Sequence, residues 1–112
     1  MAKEITAVSH NSLAAGTTIK GEIITDNDIR IDGRVEGNID CKGKVVIGQS
    51  GNILGNIVCT NAEIIGSLSG NLKTYEVLSI QSTGKITGDI QTKTLVIEPN
   101  AVFNGSCKMG GE

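Results

Sequence analysis

The side chains best suited to metal ligation or nucleophilic chemistry in this 112-residue chain are three cysteines and one histidine, Cys41, Cys59, Cys107 and His10. Cys41 and Cys59 each follow a glycine by four residues, and Thr25, Thr74 and Thr92 hold the same offset after other glycines. If the glycines mark a repeat, the two thiols share one column on adjacent turns. Sheet spacing then sets them about 5 Å apart, close enough for a disulfide. Threonine elsewhere in the column points instead to small residues on a semi-buried side, carrying reduced thiols. Cys107 falls three turns beyond Cys59 at a different offset, and one histidine cannot make a His-based zinc site. Metal chemistry is not expected.

The remaining polar clusters read as turns. Asp26, Asn27, Asp28 and Asp32 form an acidic corner, but the spacing and distal Glu of a helix-loop calcium site are missing. The Gly-Gly-x-Gly-x-Asp nonapeptide of calcium β-rolls is absent too. No G-x-x-x-x-G-K-[ST] stretch is present, so nucleotide is not expected to drive anything. Ten Lys+Arg against twelve Asp+Glu leaves no basic surplus for phosphate neutralisation, which argues against nucleic acid as a partner. The start, MAKEITAVSHN, lacks the apolar core of a secretory signal, and no apolar run reaches membrane-span length. The expected compartment is the cytoplasm.

Composition sets what the elements must be. Fifteen glycines and sixteen isoleucines stand beside one Phe, one Tyr, one Pro and no Trp. A core almost without aromatics must be narrow. Ile and Val favour strands through branching at Cβ, and the glycines would interrupt any long helix.

The apolar-x-Gly-x-apolar unit recurs six times, centred on Gly21, Gly37, Gly55, Gly70, Gly88 and Gly105, at spacings of 16, 18, 15, 18 and 17 residues. Between copies lies a second alternating element, such as Ile29-Arg30-Ile31 or Leu78-Ser79-Ile80. Period-two alternation predicts strands with one face buried. A near-constant repeat predicts an all-β fold: a single-stranded right-handed parallel β-helix, a solenoid of about six triangular rungs of about 17 residues. Equivalent strands then stack about 4.8 Å apart. The predicted core columns run Val35, Ile53, Leu68, Ile86; Ile39, Ile57, Leu72, Ile90; and Ile47, Ile64, Ile80, Ile97. Glycine is expected where a short side leaves no room for a side chain or the backbone must bend. Asn38, Asn56 and Asn71, on three consecutive rungs, suggest an external amide ladder.

Six registered copies in a chain of this size resemble the bactofilins, over residues 16–109, with a flexible head at 1–15 and a short tail at 110–112. The resemblance implies a cytoplasmic bacterial cytoskeletal scaffold, not an enzyme, that self-assembles into filaments without nucleotide or cofactor. It further implies non-polar filaments at the inner membrane that organise cell-wall-modifying or other envelope proteins.

Soluble solenoids seal their end rungs, because those expose unpaired backbone and the cross-section of the core. No cap is evident here. The sole Phe, Phe103, ends a column otherwise filled by Ile, Val or Leu. Phe103, Val102, Cys107 and Met109 at one end, and Ile19 and Ile23 at the other, are therefore the expected polymer interface. Ile5, Val8 and Leu13 of the head are candidate membrane contacts. The competing reading is a non-polymerising β-solenoid adaptor. A hexapeptide-repeat acyltransferase fits less well, since its rungs are near-invariant and its chemistry needs histidine. A charge on an inward column should be ruinous. Ile57→Asp would bury an unpaired carboxylate at a cost of several kcal/mol, and circular dichroism is expected to show loss of the strand signal.

Overall fold

The computed structural model describes residues 10–109, and every element in it is a β-strand. The chain winds through three faces per turn. The first rung is β1 (His10–Leu13), β2 (Thr18–Lys20) and β3 (Ile23–Thr25), and the second is β4 (Asp28–Ile31), β5 (Arg34–Glu36) and β6 (Ile39–Cys41). The third is β7 (Lys44–Ile47), β8 (Asn52–Leu54) and β9 (Ile57–Cys59), and the fourth β10 (Asn61–Ile64), β11 (Ser67–Ser69) and β12 (Leu72–Thr74). In the last two rungs the second and third faces fuse into one long strand. These rungs are β13 (Val77–Ile80) with β14 (Lys85–Thr92), and β15 (Thr94–Ile97) with β16 (Val102–Met109). All pairings are parallel, and each strand pairs with its equivalents on the neighbouring rungs, the terminal ones on one side only.

Register turns the sequence columns into a core. Ile19, Val35, Ile53, Leu68, Ile86 and Phe103 stack in one line on the second face. Ile23, Ile39, Ile57, Leu72, Ile90 and Cys107 stack on the third. Of the twelve expected core residues, eleven are buried. Ile97 is the exception at 46% exposed, because β15 is the last strand of its face and, among the described residues, no strand packs beneath it. The first face contributes a second inward line, Ile29, Val45, Ala62 and Leu78, all buried.

The coil also begins earlier than position 16. Residues 10–13 form β1, which pairs with β4, and Leu13 sits above Ile31, packed against the core. Leu13 thus belongs to the rod and not to a head free to touch a membrane. Residues 1–9 and 110–112, with the candidate contacts Ile5 and Val8, lie outside the described residues.

The wandering rung length is confined to two corners. Strands and glycine corner together hold a constant twelve residues per rung. The corner between first and second faces takes two residues (32–33, 65–66) or four (14–17, 48–51, 81–84, 98–101). That between the third face and the next rung takes one or two. The shortest spacing, fifteen, combines a two-residue corner with a one-residue corner; each spacing of eighteen combines four with two. Four-residue corners are closed turns, as in Gly51 N–H to Gly48 O at 2.8 Å and Ala101 N–H to Glu98 O at 3.2 Å. Pro99 and Asn100, whose φ is 76°, build the last of them.

The repeat glycines occupy the corner between second and third faces, not the middle of a crowded side. All six have φ between 133° and 151°. A Cβ on Gly70 would fall on the carbonyl oxygen of Gly55 one rung earlier, whereas one on Gly21, in the first rung, would meet nothing within 4 Å. This separates conformational strain from rung contact. Gly21→Ala should cost about 1–3 kcal/mol for its backbone alone. Gly70→Ala, at a similar φ, is expected to cost clearly more, read as the larger drop in urea midpoint.

Candidate assembly faces

Cys41, Cys59 and the acidic corner are absorbed by the coil. Cys41 and Cys59 are buried free thiols in the small-residue column. Register places Cys41 beside Thr25 and Cys59 beside Thr74. The Cys41 thiol donates to Asn27 O at 3.2 Å and accepts from Gly43 N–H at 3.3 Å. Burial pushes the Cys41 thiol up, and pushes that of Cys59 up to about 12. Thr74 and Thr92, buried in the same column, hydrogen-bond to each other. The acidic corner is similarly engaged. Asp28 Oδ1 accepts from Lys44 N–H at 2.9 Å, Asp32 pairs with Arg30 at 2.9 Å, and Asp26 lies 3.7 Å from Lys42.

The asparagines form a ladder of a different kind from the one expected. Asn38 Oδ1 accepts the backbone N–H of Asn56, and Asn56 Oδ1 that of Asn71, each at 3.2 Å. At these two corners the N–H of the residue after the glycine is satisfied by the side chain of the previous rung. Ser106 Oγ donates to Asp89 Oδ1 at 2.8 Å in the same column.

What the coil leaves unsatisfied are its two ends. Among the described residues, no strand pairs with the outer edges of β1, β2 and β3 or of β15 and β16. At the C-terminal end Phe103 and Cys107 close their columns half-buried, while Ile97 and Met109 are 46% and 51% exposed. Leu95 ends the remaining line, half-buried. Cys107 Sγ lies 3.7 Å from Met109 Sδ, so the terminal third face presents two sulfur groups side by side. Two columns grow bulkier at this rung, Phe following Ile86 and Met following Thr92. At the N-terminal end Leu13, Ile19 and Ile23 are partly buried tops of their columns around an open recess.

Of the six interface candidates, five close inward columns. Val102 does not: it lines up with Lys85, Ser67, Asn52 and Arg34 on the outer surface of the second face and is 42% exposed. Period-two alternation could have assigned it, because Phe103 beside it points inward. Leu13, Leu95 and Ile97 belong to the end faces and were missing from that set, though each is simply the last member of a readable column.

These observations define a structural β-solenoid whose two end rungs, among the described residues, have no strand paired on their outer side. The chain belongs to the bactofilin family, the polymer-forming cytoskeletal proteins, whose profile matches residues 11–108. It is similar to the Thermus thermophilus bactofilin in its double helical filaments, at 27% identity and a TM-score of 0.86, over 89% of this chain and 99% of that one. It is also similar to the cytoskeletal bactofilin BacA, at 25% identity and a TM-score of 0.77, over 92% and 98%. No curated protein sequence matches the chain. The protein is a cytoskeletal scaffold that self-associates.

The thiols give the fold a defined alkaline limit. An ordinary cysteine loses its proton near 9, and Cys59 holds it to about 12. The stabilisation from keeping that thiol neutral is full below about pH 9 and is lost as pH rises towards 12. Cys59→Thr, matching its neighbour Thr74, is expected to flatten the decline in thermal stability across that window. In native protein at neutral pH, only Cys107 should react with a thiol reagent.

Proposed function

We propose that this bactofilin polymerises through its two end faces, without nucleotide, and that its contribution to the cell is mechanical and not catalytic. Phe103, Cys107 and Met109, with Ile97 and Leu95, make one face; Ile19 and Ile23, with Leu13, make the other. The carrying observation is that the apolar columns buried throughout the rod end half-buried or exposed at its terminal rung. A partner rung would continue both the columns and the parallel ladder, giving each face backbone pairing and apolar burial together. Heterologous and isologous end contacts both yield open filaments; family resemblance favours the alternating, non-polar arrangement.

Such a filament would act in the cytoplasm, displaying its outward columns repeatedly along its length. Weak contacts to envelope or cell-wall-modifying proteins, or to the inner membrane, would then be multiplied by avidity. Val102 lies on this lateral surface, where protofilaments and partners would meet. Phe103→Arg places a charge at the centre of the C-terminal face and is expected to move the protein from pellet to supernatant when nucleotide-free samples at tens of micromolar are sedimented. Continued pelleting, with filaments in negative stain, would remove Phe103 from the assembly surface.

A further inference from the structure

The last rung carries a reactive pair that the rest of the rod lacks. Asn104-Gly105 is the one Asn-Gly step in the chain; Asn38, Asn52 and Asn56 precede isoleucine, and Asn71 precedes leucine. An asparagine amide is open to attack by the backbone nitrogen of the residue after it, and glycine, with no Cβ, leaves that nitrogen unshielded. In a folded chain the reaction needs an accessible amide, a nitrogen free of other partners, and enough backbone motion to bring the two together.

The C-terminal rung supplies each of these. Asn104 and Gly105 are exposed, and no side-chain hydrogen bond holds the Asn104 amide among the described residues. By contrast, Asn38, Asn56 and Asn61 each accept a backbone N–H from the next rung, and Asn11 donates to Thr25. The glycine nitrogen differs as well. Gly21, Gly37, Gly55 and Gly70 each donate their N–H to a carbonyl of the following rung, at 2.9–3.0 Å. Gly105 holds the same register position, opposite Gly88, but among the described residues no strand lies beyond β16. Its N–H therefore points out of the rod end. Closing a ring on it requires Asn104 to leave the extended conformation, and β16 is held along one edge only, where opening costs least.

We propose that Asn104 is a site of spontaneous deamidation, permitted by the open C-terminal edge and suppressed when a second copy pairs there. The Gly105 nitrogen bonds to Asn104 Cγ, the Cγ–Nδ2 bond breaks, and the displaced nitrogen leaves as ammonia with the glycine proton. Water then opens the succinimide at either carbonyl, leaving aspartate or isoaspartate. Both products place a carboxylate on the outer second face, in line with Thr87. Isoaspartate also lengthens the main chain by a methylene between Phe103 and Cys107, so the two columns they end no longer keep register with Ile86 and Ile90 together. Suppression by a second copy rests on the end-face assembly proposed above; the reactive pair does not.

The test is incubation of the full chain at mildly alkaline pH, as wild type and Asn104→Gln, with peptide mass spectrometry of supernatant and pellet fractions. In wild-type supernatant, deamidation at Asn104 is expected at least about fivefold faster than at Asn52 or Asn71, and in the pellet at least about fivefold slower than in supernatant, the factor one net hydrogen bond sets on an opening equilibrium. Asn104→Gln, whose longer side chain closes this ring poorly, should give no product at position 104. A supernatant rate at Asn104 no faster than at Asn52 overturns the site, and product at 104 in the glutamine variant overturns the chemistry. Fast and equal rates in supernatant and in filaments overturn suppression by a second copy. Fast reaction in a protein that never pellets supports the site and counts against end-face assembly alone.

Discussion

At one corner of every rung the chain must pass within contact of the carbonyl that the rung before has just placed there. Strand spacing of about 4.8 Å leaves no volume for a side chain between successive corners, and the turn needs a backbone conformation that only glycine reaches without strain. The glycine column is therefore the spine of the fold. With it fixed, the strands on either side stay in register, so Ile lies over Ile along each inward line. Length variation is pushed to the other two corners, where turns of one, two or four residues are absorbed without moving a core side chain.

Register also decides what the polar residues can do. A side chain repeated at each rung meets its own equivalents, so ladders and neighbour pairs take up groups that in another fold might converge on a ligand. The corner asparagines satisfy backbone N–H groups of the following rung. Asn61 does the same for Val77 N–H at the start of the first face. Exposed ion pairs such as Arg34 with Glu36 add little stability, though the guanidinium holds the Glu36 carboxyl below its usual range.

Much of this was legible because a solenoid writes its tertiary contacts as a period. The columns through Ile53, Ile57 and Ile64 could be read directly, since each has like neighbours on both sides in sequence. The errors cluster where a column ends. Ile97 has the right type and phase but no rung below it. β1 was hidden because Asn11 interrupts a line that then runs Ile29, Val45, Ala62, leaving Leu13 as its only apolar mark. The role of the asparagines was unreadable for another reason. Composition gives their stacking, but only backbone geometry shows which N–H groups the corner strands outside the ladder.

The terminal rung also differs in size from those it copies, and association energetics give a reason. Successive rungs of one chain are tethered, so stacking Ile on Ile suffices to hold them. A second molecule arriving at the end must offset about 4–15 kcal/mol of lost translational and rotational freedom with the same kind of contact. Phe103 replaces Ile, Val or Leu, and Met109 replaces threonine or cysteine, at the rung where, in the proposed end-face assembly, that extra cost would fall. Each adds apolar area at about 25 cal/mol per Å², and methionine adapts its shape to an opposing surface more readily than a β-branched residue. Inside the rod these side chains would overfill a cross-section set by Ile and Thr. In the proposed end-face assembly, a second molecule would cover them.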